Sequence, residues 1–281
     1  MSGYAALAAG TLSLGLSAIL VRSAGAPGVV SSFYRMLIAT LLLAVPFYRR
    51  IQTTNPPTRR AIRIAILGGA LFGADLATWA TGVTLSGATA PTLLANTAPV
   101  WVGVGTVIIF RRRLRTGFWL GTLLALLGAG LVLGIETGPG LAGSVLGLVA
   151  GVFYAGYFLV TQRGRDLLDS LTYFWLASAS SAVVLLLLAA GFRLPLTGYP
   201  ASSYLNFLAM GVVTQVFGYL AVSYALGRFP ASIVAPTLLG QPVITALLAV
   251  PLLGETLAPL QILGGAAVLA GVVIVHRSQS N

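Results

Sequence analysis

Cysteine is absent from this 281-residue chain, and so is lysine. The missing thiols exclude disulfides, thiol catalysis and cysteine-ligated metal. Acidic residues number five and histidine one. That one histidine, His276, sits at the end of the last span, whereas serine–histidine catalysis or a histidine metal site would need partners at depth that the sequence does not supply. Paired intramembrane aspartates are lacking as well, so neither an enzyme nor a cofactor is expected. Charge of any sign is scarce at 7%, where soluble domains carry about 25%. The chain is 57% hydrophobic with a mean hydropathy of +0.96, so it is expected to be membrane-embedded.

What charge there is has one sign. All sixteen basic residues are arginine, and the net charge is +11. They cluster between apolar runs, where the bias of basic residues toward cytoplasmic loops puts them, so nucleic-acid binding is not expected. Ten runs are long enough to cross about 30 Å of hydrocarbon. They cover about 4–22, 29–48, 61–83, 87–110, 116–135, 142–162, 170–191, 203–225, 230–252 and 257–275. The runs are continuous and do not alternate, which argues against a β-barrel. The amino terminus lacks the basic region of a signal peptide, so the first span is expected to be retained. With that terminus in the cytoplasm, thirteen arginines fall on the cytoplasmic side and two, Arg22 and Arg193, on the other. Both termini are therefore expected in the cytoplasm, the remaining arginine, Arg35, lying inside span 2.

The string APTLL occurs at 90–94 and again at 235–239, each time shortly before Pro-Val. At an offset of 143 residues Pro99-Val100 falls on Pro242-Val243, Gly121 on Gly264 and Gly128 on Gly271. The APTLL strings stand 145 apart, two residues out of that register. Two halves of five spans, 1–138 and 139–281, fit the pattern. Because five is odd, the halves insert in opposite directions. The expected fold is an all-α membrane protein of ten transmembrane helices in two inverted five-helix repeats. Secondary transporters with such repeats place the site at mid-membrane between them.

Prolines break the matched spans: Pro91 and Pro99 in span 4, and Pro236, Pro242 and Pro251 in span 9. Each removes a helix hydrogen bond, and the matched Pro99 and Pro242 are expected to act as hinges. Intramembrane charge is costly and marks function by default. Asp75 lies about 12 Å and Arg35 about 9 Å below the same face of the membrane, at 1.5 Å per residue. An Arg35–Asp75 ion pair is one reading, and substrate or proton binding at Asp75 another. Asp75 falls on Gly218 in the second half, so the charge is not part of the repeated scaffold.

Polar and aromatic residues at depth complete the candidate substrate site: Ser13, Asp75, Trp79, Asn96, Trp101, Tyr154, Tyr157, Gln215 and Gln241. Trp79, Trp101, Tyr154 and Tyr157 would wall a cavity for a small, partly apolar substrate. Asn96, Gln215 and Gln241 would orient the charged ends of a zwitterion. Spans 5 and 10 are almost wholly apolar with small residues at contact spacing. They read as peripheral, with a monomer or a homodimer through these spans as the expected state.

"GLSAILVR" and "SSFYRMLIATLLL" in the first two spans resemble the start of an EamA domain of the drug/metabolite transporter superfamily. So does "GRFPASIVAPTLLGQPVITALLAVPLLGETL" at 227–257, which ends in the Gly254-Glu255 signature. "SGATAPTLLANTAPVWVGVGTVIIFRRRL" at 86–114 shares the layout but has Arg111-Arg112 in place of Gly-Glu. The resemblance implies a ten-helix inverted repeat with a cavity among spans 1–4 and 6–9. It further implies a bacterial inner-membrane exporter, most like the branch that handles aromatic and other neutral amino acids. A multidrug or cationic-compound exporter and a passive facilitator or channel are the alternatives. No metal and no nucleic acid enter any of these readings.

Overall fold

Long apolar stretches with no alternation can satisfy their backbone in lipid only as helices, and the computed structural model is built from them. It describes residues 2–54, 56–86, 89–134, 141–253 and 257–280. Ten helical spans are long and apolar enough to cross a membrane: Gly3–Val21, Gly28–Thr53, Arg59–Val83, Ala90–Ile109, Thr116–Leu133, Leu141–Arg165, Ser170–Gly191, Ala201–Leu226, Ala231–Leu248 and Pro259–Gln279. No strand occurs among the described residues. Large apolar side chains such as Leu41, Ile108, Leu187 and Phe217 stand fully outward. A soluble monomer does not expose patches of that kind, whereas lipid accepts them. The Gly254-Glu255 signature lies outside the described residues.

Four spans are not continuous α-helix. Span 1 breaks at Leu16, between helices Gly3–Gly15 and Ser17–Ser23. Span 4 breaks at Asn96-Thr97, and its second half-helix is Ala98–Ile109. Span 9 passes through a 3-10 turn, Leu238–Gly240, before the half-helix Gln241–Leu253. Span 8 carries a π-helical stretch, Met210–Tyr219, a form seen mostly at functional sites. Pro99 and Pro242 sit in the first turn of the second half-helix in each case. A first-turn residue has no intrahelical acceptor for its N–H, so proline costs little there and its fixed φ favours the new start. The matched prolines restart their helices rather than kink them.

Spans 5 and 10 pack on each other, and their glycines show the symmetry. A Cβ added at Gly121 would fall 2.6 Å from the Gly271 carbonyl oxygen, and one at Gly271 2.5 Å from that of Gly121. Gly128 and Gly264 are related in the same way, at 2.6 and 2.7 Å. The repeat carries Gly121 onto Gly264 and Gly128 onto Gly271, so a pseudo-two-fold axis maps each of these contacts onto the other. The small-residue faces of spans 5 and 10, read from the sequence as peripheral packing or dimerisation faces, meet each other within one chain.

Most of the remaining packing crosses the sequence halves. Span 6 runs along span 3 and against both pieces of span 4, while span 1 packs on spans 8 and 9. Each half therefore lends its first span to the third and fourth spans of the other. Spans 2 and 7 join the two groups, span 2 packing on span 7 and on the π stretch of span 8. The units on either side of the centre are spans 3, 4 and 6 and spans 1, 8 and 9. They are not the two five-span halves.

Candidate functional site

A cavity of about 390 Å³ opens between these two groups, within the size range of small-molecule sites. Span 1 contributes Leu14 and Ser17, span 2 Arg35, span 3 Asp75, Leu76 and Trp79, and span 6 Tyr154 and Phe158. The broken spans contribute their breaks: Thr92 to Pro99 of span 4, and Ala235 to Ala246 of span 9. Val132, Leu133 and Gln261, at the ends of spans 5 and 10 remote from the arginine clusters, also line it. The cavity thus runs from mid-bundle toward the arginine-poor end. Spans 5 and 10 are peripheral except for these tips, and span 7 contributes no lining residue among those described.

The two intramembrane charges share this cavity and are both nearly sealed, Arg35 at 4% and Asp75 at 6% exposure. They form no ion pair: no nitrogen–oxygen approach within 4.0 Å joins them. Arg35 Nη1 instead donates to Ser17 Oγ at 3.2 Å, and the guanidinium carbon lies 5.7 Å from the centre of the Tyr219 ring. Tyr219 and Tyr154 share a hydroxyl–hydroxyl hydrogen bond of 3.0 Å across the cavity. That bond joins span 8 of one group to span 6 of the other.

Trp79 and Tyr154 line the cavity, as do Asn96, Gln241, Pro99 and Pro242. Trp79 is fixed by its indole N–H, which donates to Thr92 Oγ1 at 3.0 Å. Four expected lining residues lie elsewhere. Tyr157 is buried behind the wall, stacked on Phe72 at 4.4 Å. The side chain of Trp101 reaches back toward its own break and donates to Thr97 Oγ1 at 3.2 Å, the direction that helical side chains favour. Ser13 packs against Gly218 of span 8, and Ser17, one turn on, takes the place at Arg35. Gln215 is fully buried off the cavity, with neither amide atom hydrogen-bonded among the described residues.

Two lining threonines carry no sequence signal beyond their depth. Thr92 anchors Trp79, and Thr245 donates to the Gly15 carbonyl at 2.7 Å, satisfying the backbone where span 1 breaks.

The arginine-rich end is closed. The last turn of span 6 caps two helix ends of the opposite group. Gln162 Oε1 accepts the N–H of Ala231, the first residue of span 9, at 2.7 Å. Arg165 Nε donates to the Ser223 carbonyl in the last turn of span 8 at 2.9 Å, and its Nη1 donates to Leu168 O. Pro230 offers span 9 no side-chain cap, so Gln162 supplies a partner to one of the orphan donors at that terminus. Tyr4 closes the same end of span 1 against Phe229, with ring centroids 4.5 Å apart.

A central cavity that holds two buried charges and is closed at one end thus lies in a bundle of ten spans with inverted halves. The model of the EamA-like transporter family matches residues 1–134 and 141–277, once in each half. The chain belongs to the EamA-like transporter family. It is similar to the uncharacterized transporter YwfM of Bacillus subtilis, with 26% identity over 87% of this chain and 83% of that protein. An uncharacterized transporter of Archaeoglobus fulgidus is 26% identical over 98% of this chain and 96% of its own length. A crystal structure 17% identical to this chain superposes with a TM-score of 0.81, covering 99% of this chain and 97% of its own, and shares its fold. The protein is a multi-pass membrane transporter of small molecules.

Proposed function

We propose that this transporter exports aromatic and other neutral amino acids across the inner membrane by alternating access. The observation that carries the reading is the mid-bundle cavity, where an unpaired carboxylate and an unpaired guanidinium face a wall of Trp79, Tyr154 and Phe158. A zwitterion with an apolar side chain presents the complementary groups. The arginine-rich end would face the cytoplasm, which makes the conformation described outward-facing. Transport would proceed by rocking spans 3, 4 and 6 against spans 1, 8 and 9. Pro99 and Pro242 mark where the wall can bend, and Asn96 and Gln241 hold the substrate beside those breaks.

Flux of labelled phenylalanine and threonine into liposomes, with and without a proton gradient, tests this. Saturable uptake of either amino acid is expected. Cationic dyes moved in their place would overturn the amino-acid reading. Asp75 decides the coupling: Asp75→Asn is expected to lower the rate at least tenfold and to flatten its dependence on pH between about 5.5 and 8. A variant at full rate across that range removes both the ammonium-binding and the proton-carrying role. A multidrug exporter is the second reading, favoured by one observation: the Asp75 carboxylate has no ion-pair partner within 4.0 Å among the described residues, as a cation site requires.

A further inference from the structure

Arg35 carries an arrangement that transport alone does not explain. The residue is 4% exposed. Of its three nitrogens only Nη1 has a hydrogen-bond acceptor, the Ser17 hydroxyl, while Nε and Nη2 have none among the described residues. A buried charge left unpartnered is among the most costly groups a fold can hold. Nε and Nη2 form one edge of the planar guanidinium, the fork that grips a carboxylate through two parallel N–H···O bonds. The rest of the group is already held. Ser17 fixes Nη1, and Tyr219 lies 5.7 Å from the guanidinium carbon, its own hydroxyl tied to Tyr154. The free edge is closed to solvent in this conformation, each nitrogen exposing less than 1 Å², so a carboxylate reaches it only when the cavity wall around Arg35 rearranges, as a transport cycle requires. Asp75, the other charge of the cavity, does not reach it.

From this unpartnered fork in the cavity wall we infer that Arg35 is the receptor for a substrate carboxylate. The transported class is thereby narrowed to compounds with a free carboxyl group, and in zwitterions the ammonium turns toward Asp75. The inference rests on the amino-acid reading but can outlive it, because a carboxylic acid without an amine would satisfy Arg35 equally. Discrimination would come from the bonds that the fork gains. A substrate lacking the carboxylate gains nothing from Arg35 and leaves its two charged donors without a partner.

The full-length protein in nanodiscs tests this through quenching of its intrinsic tryptophan fluorescence, since Trp79 lines the cavity. Four probes are titrated: L-phenylalanine, L-phenylalaninamide, phenethylamine and 3-phenylpropionate. Wild-type protein is expected to bind phenylalanine at least 30-fold more tightly than either the amide or the amine. Arg35→Gln is expected to bring the three within threefold of one another, and Arg35→Lys to keep part of the preference. Asp75→Asn serves as the opposite control, losing its preference for phenylalanine over phenylpropionate while keeping that over phenethylamine. The wild-type series decides even where Arg35→Gln fails to fold. Phenethylamine binding as tightly as phenylalanine overturns the inference, as does the binding of none of the four. Phenylpropionate bound and phenylalanine rejected, with Arg35→Gln abolishing the former, upholds the carboxylate receptor and removes the amino-acid reading instead.

Discussion

Removing the two caps that span 6 places on spans 8 and 9 should open the arginine-rich end. The double variant Gln162→Ala with Arg165→Ala deletes the acceptor for the Ala231 N–H and the donor to the Ser223 carbonyl. A neutral intramolecular hydrogen bond contributes about 1 kcal/mol and one to a charged group about 1.5–3 kcal/mol. Arg165 is not deeply buried, and the freed groups can rehydrate at the rim, so the lower end of that range applies. The conformation sealed at this end should lose roughly 2–3 kcal/mol relative to the open one, a shift of about 30- to 150-fold in their ratio at 1.4 kcal/mol per tenfold. Each single variant should give part of the shift. The pair need not be additive, because both side chains leave the same turn.

The absence of cysteine makes the measurement direct. Ala235→Cys introduces one thiol, on the cavity wall five residues into span 9 and 2% exposed. Its labelling by a membrane-impermeant maleimide, compared between right-side-out and inside-out vesicles, reads the accessibility of the site from each face. The double variant should raise labelling from the arginine-rich face by the stated factor relative to the other face. A ratio unchanged within threefold, in protein that elutes as wild type, would refute the assignment of Gln162 and Arg165 as the closure at this end.

Two further predictions concern stability. Gly121→Val or Gly271→Val drives side-chain atoms into a carbonyl 2.5–2.6 Å from the new Cβ, so either should cost about 1–3 kcal/mol and lower the melting temperature by several degrees. Equal melting points for wild type and both variants would contradict the reciprocal packing of spans 5 and 10. Asp169 caps span 7 through the N–H groups of Leu171 and Thr172 and pairs with Arg50 at 3.6 Å. Burial raises its pKa, but the Thr172 hydroxyl, those N–H groups and the Arg50 guanidinium outweigh it and hold the carboxyl below its usual value. Its contribution is therefore complete above the unfolded carboxylate value of about 3.9 and fades as pH falls through the lower folded value. Asp169→Ala should cost about 1 kcal/mol at pH 6, with the gap in melting temperature from wild type narrowing below about pH 4. A gap that widens on acidification would reverse the sign.

Much of the scaffold was legible because a bilayer imposes one length and one sign. Ten apolar runs gave ten spans within a few residues, and thirteen arginines lie at one end. The matched Pro99 and Pro242 marked the broken spans, although the breaks themselves fall just before the prolines, at Asn96-Thr97 and Leu238–Gly240. The exchange of first spans between the halves was not legible, since it depends on which small-residue faces meet. Spans apolar on every side leave no periodic stripe to announce them. At the cavity, charge at depth pointed to Asp75 and Arg35, and both line it. Neighbours one turn apart were harder: Ser13 against Ser17, and Tyr157 against Tyr154. Both members of each pair lie at suitable depth, and the rotation of the helix against its partners decides which one faces the cavity.

The symmetry of the backbone and the asymmetry of the side chains have different consequences. A carrier of two identical inverted repeats would have outward- and inward-facing states of equal energy, each the mirror of the other in the membrane. Here Gly121, Gly128, Gly264 and Gly271 keep the axis, and the matched prolines keep both walls breakable. The polar groups break the equivalence. Asp75 stands where the second half has Gly218, Asn96 where it has Leu239, and Gln162 falls on Val21 at an offset of 141 residues. In the proposed alternating-access cycle the repeated scaffold would supply two states, and unrepeated residues would set how far apart they lie and what they bind. Substitutions at the glycines should therefore act on folding, whereas those at Arg35, Asp75, Gln162 and Arg165 should act on selectivity and on the balance between the two faces.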